Sequence, residues 1–211
     1  MLSRVSERFP HLKYMRPSQA EFIRSLVNKH GLKSLLELGT FQGKGTAYLA
    51  SILEERGEGM VTTLDREQCL EHKPNVRDVL AELGLSHRVD IRLHKRSFTM
   101  TLMKMLEEAP RPMFDFCYFD GAHTWDGTGF CFLLTDKLLK PGAWIIFDDM
   151  DWTLAKSAQI NPGRAKNYTQ YTDEEVNMAQ VRKVWEILVK DTGYINMSES
   201  RRGWGVAQKA F

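Results

Sequence analysis

Acidic residues follow two apolar segments of the sequence, where several carboxylates could bind one ion. Asp120 comes directly after segment 114–119, and Asp148 and Asp149 follow segment 143–147. If these segments are neighbouring parallel strands, their carboxyl ends meet at one edge of a sheet and the three carboxylates converge. Crowded like charges perturb one another's pKa unless a cation neutralises them, and oxygen ligands favour a hard ion such as Mg²⁺. We therefore predict a divalent-metal site at these three residues, with capping as the alternative for the aspartate pair.

A histidine stands close to this predicted metal site. His123 lies three residues after Asp120, near the start of the next predicted helix. An imidazole with an ordinary pKa near 6.5 can accept a proton at neutral pH, so His123 is a candidate general base. A capping or packing role for this histidine is the alternative.

A glycine-containing turn follows the first apolar segment, 35–38. Gly39 and Gly43 allow a sharp turn around Thr40 and a close approach of the backbone to a ligand. The spacing differs from that of phosphate-binding glycine loops. Glu37, two residues before the first glycine, would repel a pyrophosphate but would attract a positively charged ligand.

A second acid, Asp65, closes the next predicted strand, where its carboxylate could accept both hydroxyls of a ribose. Together with Glu37 it suits a nucleoside that has no phosphates and carries an amino-acid tail, and S-adenosylmethionine (SAM) is such a molecule. Ser97, after the third predicted strand, could bond to an adenine edge or cap the following helix. The alternative for the whole turn is a strand–turn–helix in which the glycines serve geometry alone.

Short apolar runs alternate with longer amphipathic stretches along the chain. This alternation predicts a Rossmann-like, doubly wound α/β sheet of about seven strands, mostly parallel with a C-terminal antiparallel hairpin, and helices on both faces. The predicted strands are 35–38, 61–64, 89–93, 114–119, 143–147, 193–197 and 203–208. The predicted helices are 17–30, 45–55, 75–83, 98–107, 125–139 and 174–190.

Composition limits the class of protein. The 211 residues are 43% apolar and 27% charged, which is typical of a globular protein, and no Pro/Gly/Ser-rich linker divides them, so we predict a single domain over 1–211. Within it we expect a leader and helix at 1–33 and, in the polar, irregular stretch 150–173, a lid or substrate loop. A net charge of +2 argues against a dedicated nucleic-acid binder, and no apolar run reaches the roughly 18–20 residues that span a membrane. Three cysteines and the absence of a signal-like N-terminus favour reduced thiols in the cytoplasm.

The motifs resemble those of class I SAM-dependent methyltransferases, and among these the metal-dependent small-molecule O-methyltransferases. Segment 36–43 is similar to the first motif of the family, E-x-G-x-x-x-G, which wraps the methionine end of SAM. Asp65 matches the acidic ribose ligand and Ser97 the residue near the adenine. The resemblance covers about residues 17 to 150 and weakens in the predicted lid and hairpin.

Segments 119–123 and 147–149 are similar to the two metal motifs of that group. The resemblance implies that Asp120 lies beside the cofactor and takes part in catalysis. Catechol-type enzymes supply Asp, Asp and Asn to the metal, so Asp149 replaces an amide here, which resembles the antibiotic-tailoring branch. His123 stands where the catechol type has a lysine base.

The resemblance implies divalent-metal-assisted methyl transfer from SAM to a hydroxyl of a small molecule. Two alternatives remain open at this point: methylation of a nucleic acid or protein, and SAM binding without methyl transfer. The leader helix and the edge of the terminal hairpin are the surfaces that we expect in a homodimer.

Overall fold

One mixed sheet forms the centre of the computed structural model, which describes residues 1–200 and 203–211. Its strands are β1 (Ser34–Leu38), β2 (Met60–Arg66), β3 (Val89–His94), β4 (Phe114–Phe119), β5 (Leu139–Phe147), β6 (Ile195–Ser200) and β7 (Trp204–Gln208). The order across the sheet is β3-β2-β1-β4-β5-β7-β6. Strands β1 to β5 are parallel, and β7 pairs antiparallel with both β5 and β6. The predicted Rossmann-like sheet with its C-terminal hairpin is confirmed.

Helices cover both faces of this sheet. They are α1 (Leu2–Arg8), α2 (Pro17–His30), α3 (Lys44–Arg56), α4 (Val76–Leu83), α5 (Phe98–Glu107), α6 (Trp125–Asp136), α7 (Leu154–Ile160), α8 (Asp173–Asn177) and α9 (Gln180–Lys183), which continues as a π-helical segment, Val184–Val189. One buried cluster packs the four helices α1, α2, α3 and α4 against one face of the sheet. A second cluster packs α5, α6 and the π-helical segment against the opposite face. The sheet is therefore buried on both sides, which explains the apolar character of its parallel strands.

Local sequence signals determine several helix ends. Gly31 ends α2 in the left-handed conformation (φ 65°), which glycine adopts without a steric penalty. Asn75 begins α4 by accepting hydrogen bonds from the backbone N–H groups of Arg77 and Asp78. The bounds of α2 and α5 agree with the sequence prediction, whereas α6 ends three residues earlier than predicted because β5 already begins at Leu139.

The N-terminal leader contains a helix that precedes the predicted helix 17–30. Residues 2–8 form α1, whose Leu2 and Val5 are buried, and the following turn buries Phe9, Leu12 and Met15 in the same cluster. The apolar residues of this segment therefore fix it to the core of its own chain.

Two segments near the C-terminus also differ from prediction. The predicted irregular stretch 150–173 contains α7 and a 3₁₀ segment, Pro162–Tyr168. The predicted helix 174–190 is broken after Asn177, where Met178 is extended. The break lies beside Gln180, whose side-chain oxygen accepts from the N–H of Trp125 (2.6 Å) and whose amide donates to the carbonyl of Glu175 (2.8 Å). This tertiary contact overrides the helical periodicity.

The strand order reverses between β1 and β4, which lie side by side although β2 and β3 separate them in sequence. In open α/β sheets this switch point opens a crevice at the carboxyl ends of the strands, where ligands bind. In the part of the chain that the structure describes, no helix has the length and apolar character needed to span a membrane.

Candidate cofactor and metal site

The turn after β1 packs closely against Asp120, which follows β4, and against Val76 in α4. Gly39 has φ 102°, and a Cβ there would lie 2.2 Å from the carbonyl oxygen of Asp120. Gly43 has φ 89°, and a Cβ there would collide with Val76 at 2.7 Å. Both positions therefore require glycine, because the left-handed conformation and the neighbouring backbone exclude a side chain. The sharp turn predicted at these glycines is present, and their close approach to a ligand stays a prediction.

Glu37, in β1, is a buried acid at the base of this turn, with 1% of its surface exposed. Its Oε2 accepts hydrogen bonds from the hydroxyls of Thr46 (2.5 Å) and Thr63 (2.6 Å). Burial raises the pKa of Glu37 to about 7, and the two hydroxyls offset part of that effect. Gly45 leaves room for the carboxylate, since a Cβ there would lie 2.7 Å from Oε1. The sequence prediction missed Gly45, although it belongs to the same glycine-containing segment.

Asp65, at the end of β2, fixes the turn from the other side. Its Oδ2 accepts from the backbone N–H groups of Thr40 (2.9 Å) and Phe41 (2.6 Å), and its Oδ1 accepts from that of Arg66 (2.6 Å). The Thr40 side chain also hydrogen-bonds the hydroxyl of Thr63. Asp65 therefore lies beside the glycine turn as predicted, and a ribose contact stays a prediction.

A cavity opens between this turn and the ends of β1 and β4. Its lining residues are Lys13, Tyr14, Met15, Glu37, Gly39, Thr40, Phe41, Gln42, Lys44, Gly45, Tyr118 and Asp120. Four of the predicted cofactor residues thus line a single cavity. Gly43 supports the turn behind it.

The N-terminal segment 13–15 forms one wall of the cavity, a contribution that the sequence prediction missed. Lys44 Nζ donates to the carbonyl oxygen of Leu12 (2.7 Å). Tyr14 has φ 65° and packs edge-on against Phe41 with ring centres 5.1 Å apart, and Phe41 in turn contacts His72. No local motif indicates this wall, because it depends on the packing of α1 against the core.

The predicted acidic cluster does form at the neighbouring strand ends. The N–H of Asp120 donates to the carbonyl of Leu38, and the N–H of Asp148 donates to that of Phe119, both at 2.9 Å. These bonds extend the β1–β4 and β4–β5 ladders and bring the acids side by side. Burial raises the pKa of Asp120 well above its usual range, and Asp148 and Asp149 raise it further.

The carboxylate of Asp148 has its own partners within this cluster. Its Oδ2 accepts from the hydroxyl of buried Tyr118, and its Oδ1 accepts from the backbone N–H of Asp149 at 2.7 Å. Burial raises the pKa of Asp148, and the Tyr118 hydroxyl partly offsets this effect. Tyr118 both lines the cavity and hydrogen-bonds the acidic cluster. The sequence prediction missed this role because Tyr118 lies within an apolar strand.

A group of three possible ligands lies on the other side of the cluster. One ligand atom each from Asp120, His123 and Asp149 lies within 4.8 Å of the other two, and His123 Nε2 is 2.9 Å from Asp149 Oδ2. Ala122 (φ 59°) and Asp149 (φ 55°) both adopt the left-handed conformation, which is costly for residues with a side chain and turns these loops inward. His123 does not cap α6, because Thr124 does so by accepting from the N–H of Gly127.

The predicted residue Ser97 and the nearby acid Asp151 both have partners within the chain. Asp151 is exposed and forms ion pairs with Arg182, whose guanidinium also binds Glu199. Ser97 caps α5 by accepting from the N–H of Thr99 at 3.2 Å. The capping alternative for Ser97 is therefore confirmed, and its contact with an adenine stays a prediction.

The electrostatics of the site favour a cationic ligand. Glu37, Asp65, Asp120, Asp148 and Asp149 converge, and the other four acids all raise the pKa of Asp120. Among residues 1–200 and 203–211, no lysine or arginine lies within ion-pair distance of these five carboxylates. SAM carries an ammonium and a sulfonium, and a divalent ion binds carboxylates, so the residues present fit both groups.

Comparisons with known proteins agree with this fold. A family model described as a methyltransferase domain matches residues 36–150. TomG from Streptomyces achromogenes, an O-methyltransferase involved in tomaymycin synthesis and solved with SAM, is 20% identical over 100% of this chain and 88% of its own (TM-score 0.67). An O-methyltransferase from Bacillus cereus, solved with S-adenosylhomocysteine, is 22% identical over 99% of this chain and 90% of its own (TM-score 0.65).

A third solved structure contains a metal ion. The methyltransferase MycE of the mycinamycin biosynthetic pathway, in complex with Mg, S-adenosylhomocysteine and mycinamycin VI, is 14% identical (TM-score 0.61). The match covers 99% of this chain and 54% of MycE. At these identities the likenesses establish the fold. No curated protein sequence matches the chain at a significant level.

Proposed function

This chain belongs to the methyltransferase-domain family, and from that premise we propose that it transfers a methyl group from SAM to a hydroxyl of a small molecule, assisted by a divalent ion. One observation carries the proposal: the buried carboxylate of Glu37 lines a cavity that also reaches Asp120, at the switch point of the sheet. A buried acid without a basic partner is costly, and a cationic ligand would remove that cost.

The cavity residues have distinct roles toward SAM. Glu37 would bind the ammonium of the methionine end, and the glycine turn at 39–43 leaves the backbone close to the ligand. Outside the cavity lining, Asp65 at the end of β2 would accept the ribose hydroxyls, and Ser97 would contact the adenine. When bound, SAM supplies an electrophilic methyl group on a positively charged sulfur.

The acidic cluster would prepare the acceptor. Asp120 and Asp149 are the two carboxylates in the group of three possible ligands that also contains His123. We therefore assign both carboxylates to the ion. A bound divalent ion lowers the pKa of an acceptor hydroxyl, which makes its oxygen a better nucleophile. Asp120 also lines the SAM cavity, so this residue would bring the acceptor oxygen and the methyl group together, and close positioning is a large part of the rate enhancement.

Aromatic side chains near the cluster support a flat or glycosylated acceptor. Trp152 lies with its ring centre 6.0 Å from that of His123, and Trp125 is 40% exposed at the start of α6. Such faces bind aromatic rings or the apolar sides of sugars. TomG is involved in tomaymycin synthesis and MycE belongs to the mycinamycin biosynthetic pathway, and both roles are consistent with a small-molecule acceptor.

Two measurements test the proposal. Titration calorimetry should detect SAM binding in wild type and a weakened interaction in Glu37→Gln. Transfer of a labelled methyl group to a panel of polyhydroxylated aromatics and glycosides should be sensitive to EDTA, and Asp149→Ala should abolish the EDTA-sensitive transfer while SAM binding is retained. An absence of SAM binding would refute the cofactor assignment, and transfer that EDTA leaves unchanged would refute the role of the ion.

A further inference from the structure

Four side chains of the acidic cluster, those of Asp120, His123, Asp148 and Asp149, are candidate ligands for one ion, and their contacts distinguish them. Both oxygens of Asp148 already have partners: the hydroxyl of Tyr118 and the N–H of Asp149. Asp151 is paired with Arg182. Among the described residues, the three ligands that face one another are Asp120, His123 and Asp149.

The spacing of these atoms suits a metal centre. Two adjacent ligands of an octahedral ion, each about 2.1 Å from it, are about 3.0 Å apart. His123 Nε2 and Asp149 Oδ2 are 2.9 Å apart, so both could bind one ion after exchanging their mutual hydrogen bond for it. The ligand atom of Asp120 lies within 4.8 Å of both, which requires a small side-chain rotation.

We propose that His123 is the third protein ligand of the divalent ion, in place of Asp148. This inference rests on the proposed function, since that function supplies the ion. The site then has one imidazole nitrogen and two carboxylates. Nitrogen ligands shift preference from Mg²⁺ toward first-row transition ions such as Mn²⁺, Co²⁺ or Zn²⁺. Asp148 instead becomes a positioning residue, which connects Tyr118 in the SAM cavity to the backbone of Asp149.

The test uses Mn²⁺, whose unpaired electrons report on directly bound nitrogen. Pulsed electron paramagnetic resonance of the wild-type protein with one equivalent of Mn²⁺ should show ¹⁴N coupling of a coordinated imidazole. The coupling should change to that of ¹⁵N when the protein carries ¹⁵N-labelled histidine. This labelling experiment needs no variant, so it holds even if a substitution at the site impairs folding.

Variants then identify the histidine. His123→Ala should lose the nitrogen coupling and bind Mn²⁺ at least about tenfold more weakly. The control His87→Ala, at an exposed histidine paired with Glu54 away from the site, should retain both. Asp148→Asn should keep the nitrogen coupling, with a dissociation constant for Mn²⁺ within about threefold of wild type.

The opposite results would overturn the inference. Mn²⁺ binding without nitrogen coupling, together with loss of binding in Asp148→Asn, would assign the ion to Asp120, Asp148 and Asp149 and leave the proposed methyl transfer intact. A lack of Mn²⁺ binding despite SAM binding would overturn both this inference and the role of the ion. A failure of SAM binding alone would refute the proposed cofactor and leave the ligand assignment standing.

Discussion

Replacing Glu37 by glutamine should stabilise the protein at high pH while weakening SAM binding. Glutamine has nearly the same shape, and its amide oxygen can still accept from Thr46 and Thr63. The pKa of Glu37 rises from an ordinary 4.5 to about 7 because the side chain is buried. At about 1.4 kcal/mol per pH unit, this corresponds to roughly 3 kcal/mol of unfolding free energy.

The sign follows from proton binding. Below pH 4.5 the carboxyl is protonated in both states, so its ionisation costs nothing. Between pH 4.5 and 7 the unfolded chain releases this proton and the folded chain keeps it, so the wild-type protein loses stability as the pH rises. Above pH 7 the full penalty remains. Glu37→Gln has no such titration, so its stability relative to wild type should increase by about 2–3 kcal/mol between pH 5 and pH 8.

Urea unfolding of the SAM-free protein at pH 5, 6, 7 and 8 measures this difference. Glu71→Gln, at an exposed position, is the control and should follow wild type at every pH. Titration calorimetry at pH 8 should show at least a tenfold loss of SAM affinity in Glu37→Gln. A stability difference that does not change with pH would refute the assigned pKa, and unchanged SAM affinity would refute the placement of the ammonium.

Three further substitutions test the surrounding structure. Gly39→Ala should lower the free energy of unfolding by more than about 3 kcal/mol, because the new Cβ would collide with the backbone of Asp120. The control Gly31→Ala has no atom within 4 Å of the new Cβ and should lower it by only about 1–2 kcal/mol. Urea unfolding measures both values, and equal losses would contradict the close packing at Gly39. Tyr118→Phe leaves one buried oxygen of Asp148 without its donor and should cost about 1–3 kcal/mol by the same assay, so a neutral result would exclude that hydrogen bond. Gln180→Ala should speed amide hydrogen exchange over residues 173–183 without changing exchange in β1, and uniform protection would show that its side chain does not fix this segment.

The sheet and the acids at its strand ends could be predicted because both depend on short-range patterns. Apolar runs such as 114–119 mark buried strands, and the residue after each run must lie at the ligand-binding edge. This reasoning placed Glu37 and Asp65 beside the glycine turn and grouped Asp120 with Asp148 and Asp149. The structure brings all five acids close together. The glycines at 39 and 43 were recognisable because their spacing marks a turn.

The remaining features depend on contacts between distant parts of the chain. Nothing local indicates that Tyr118 donates to Asp148, or that Leu12 accepts from Lys44. The left-handed backbone of Asp149 and the position of Asp148 outside the three-residue group are likewise features that a composition or spacing rule does not reveal. Sequence patterns thus predicted which acids gather, and packing decides where each carboxylate points.

The position of β7 between β5 and β6 has a consequence for synthesis and folding. β6 is made first but has no edge to join until residues 204–208 are available, because β7 separates it from β5. Trp204 in β7 is fully buried against Tyr118, with ring centres 5.7 Å apart. A nascent chain that has produced only β1 to β5 therefore has every acid of the site but lacks the indole that packs against Tyr118. We expect such a chain to remain loosely packed until β7 pairs with β5.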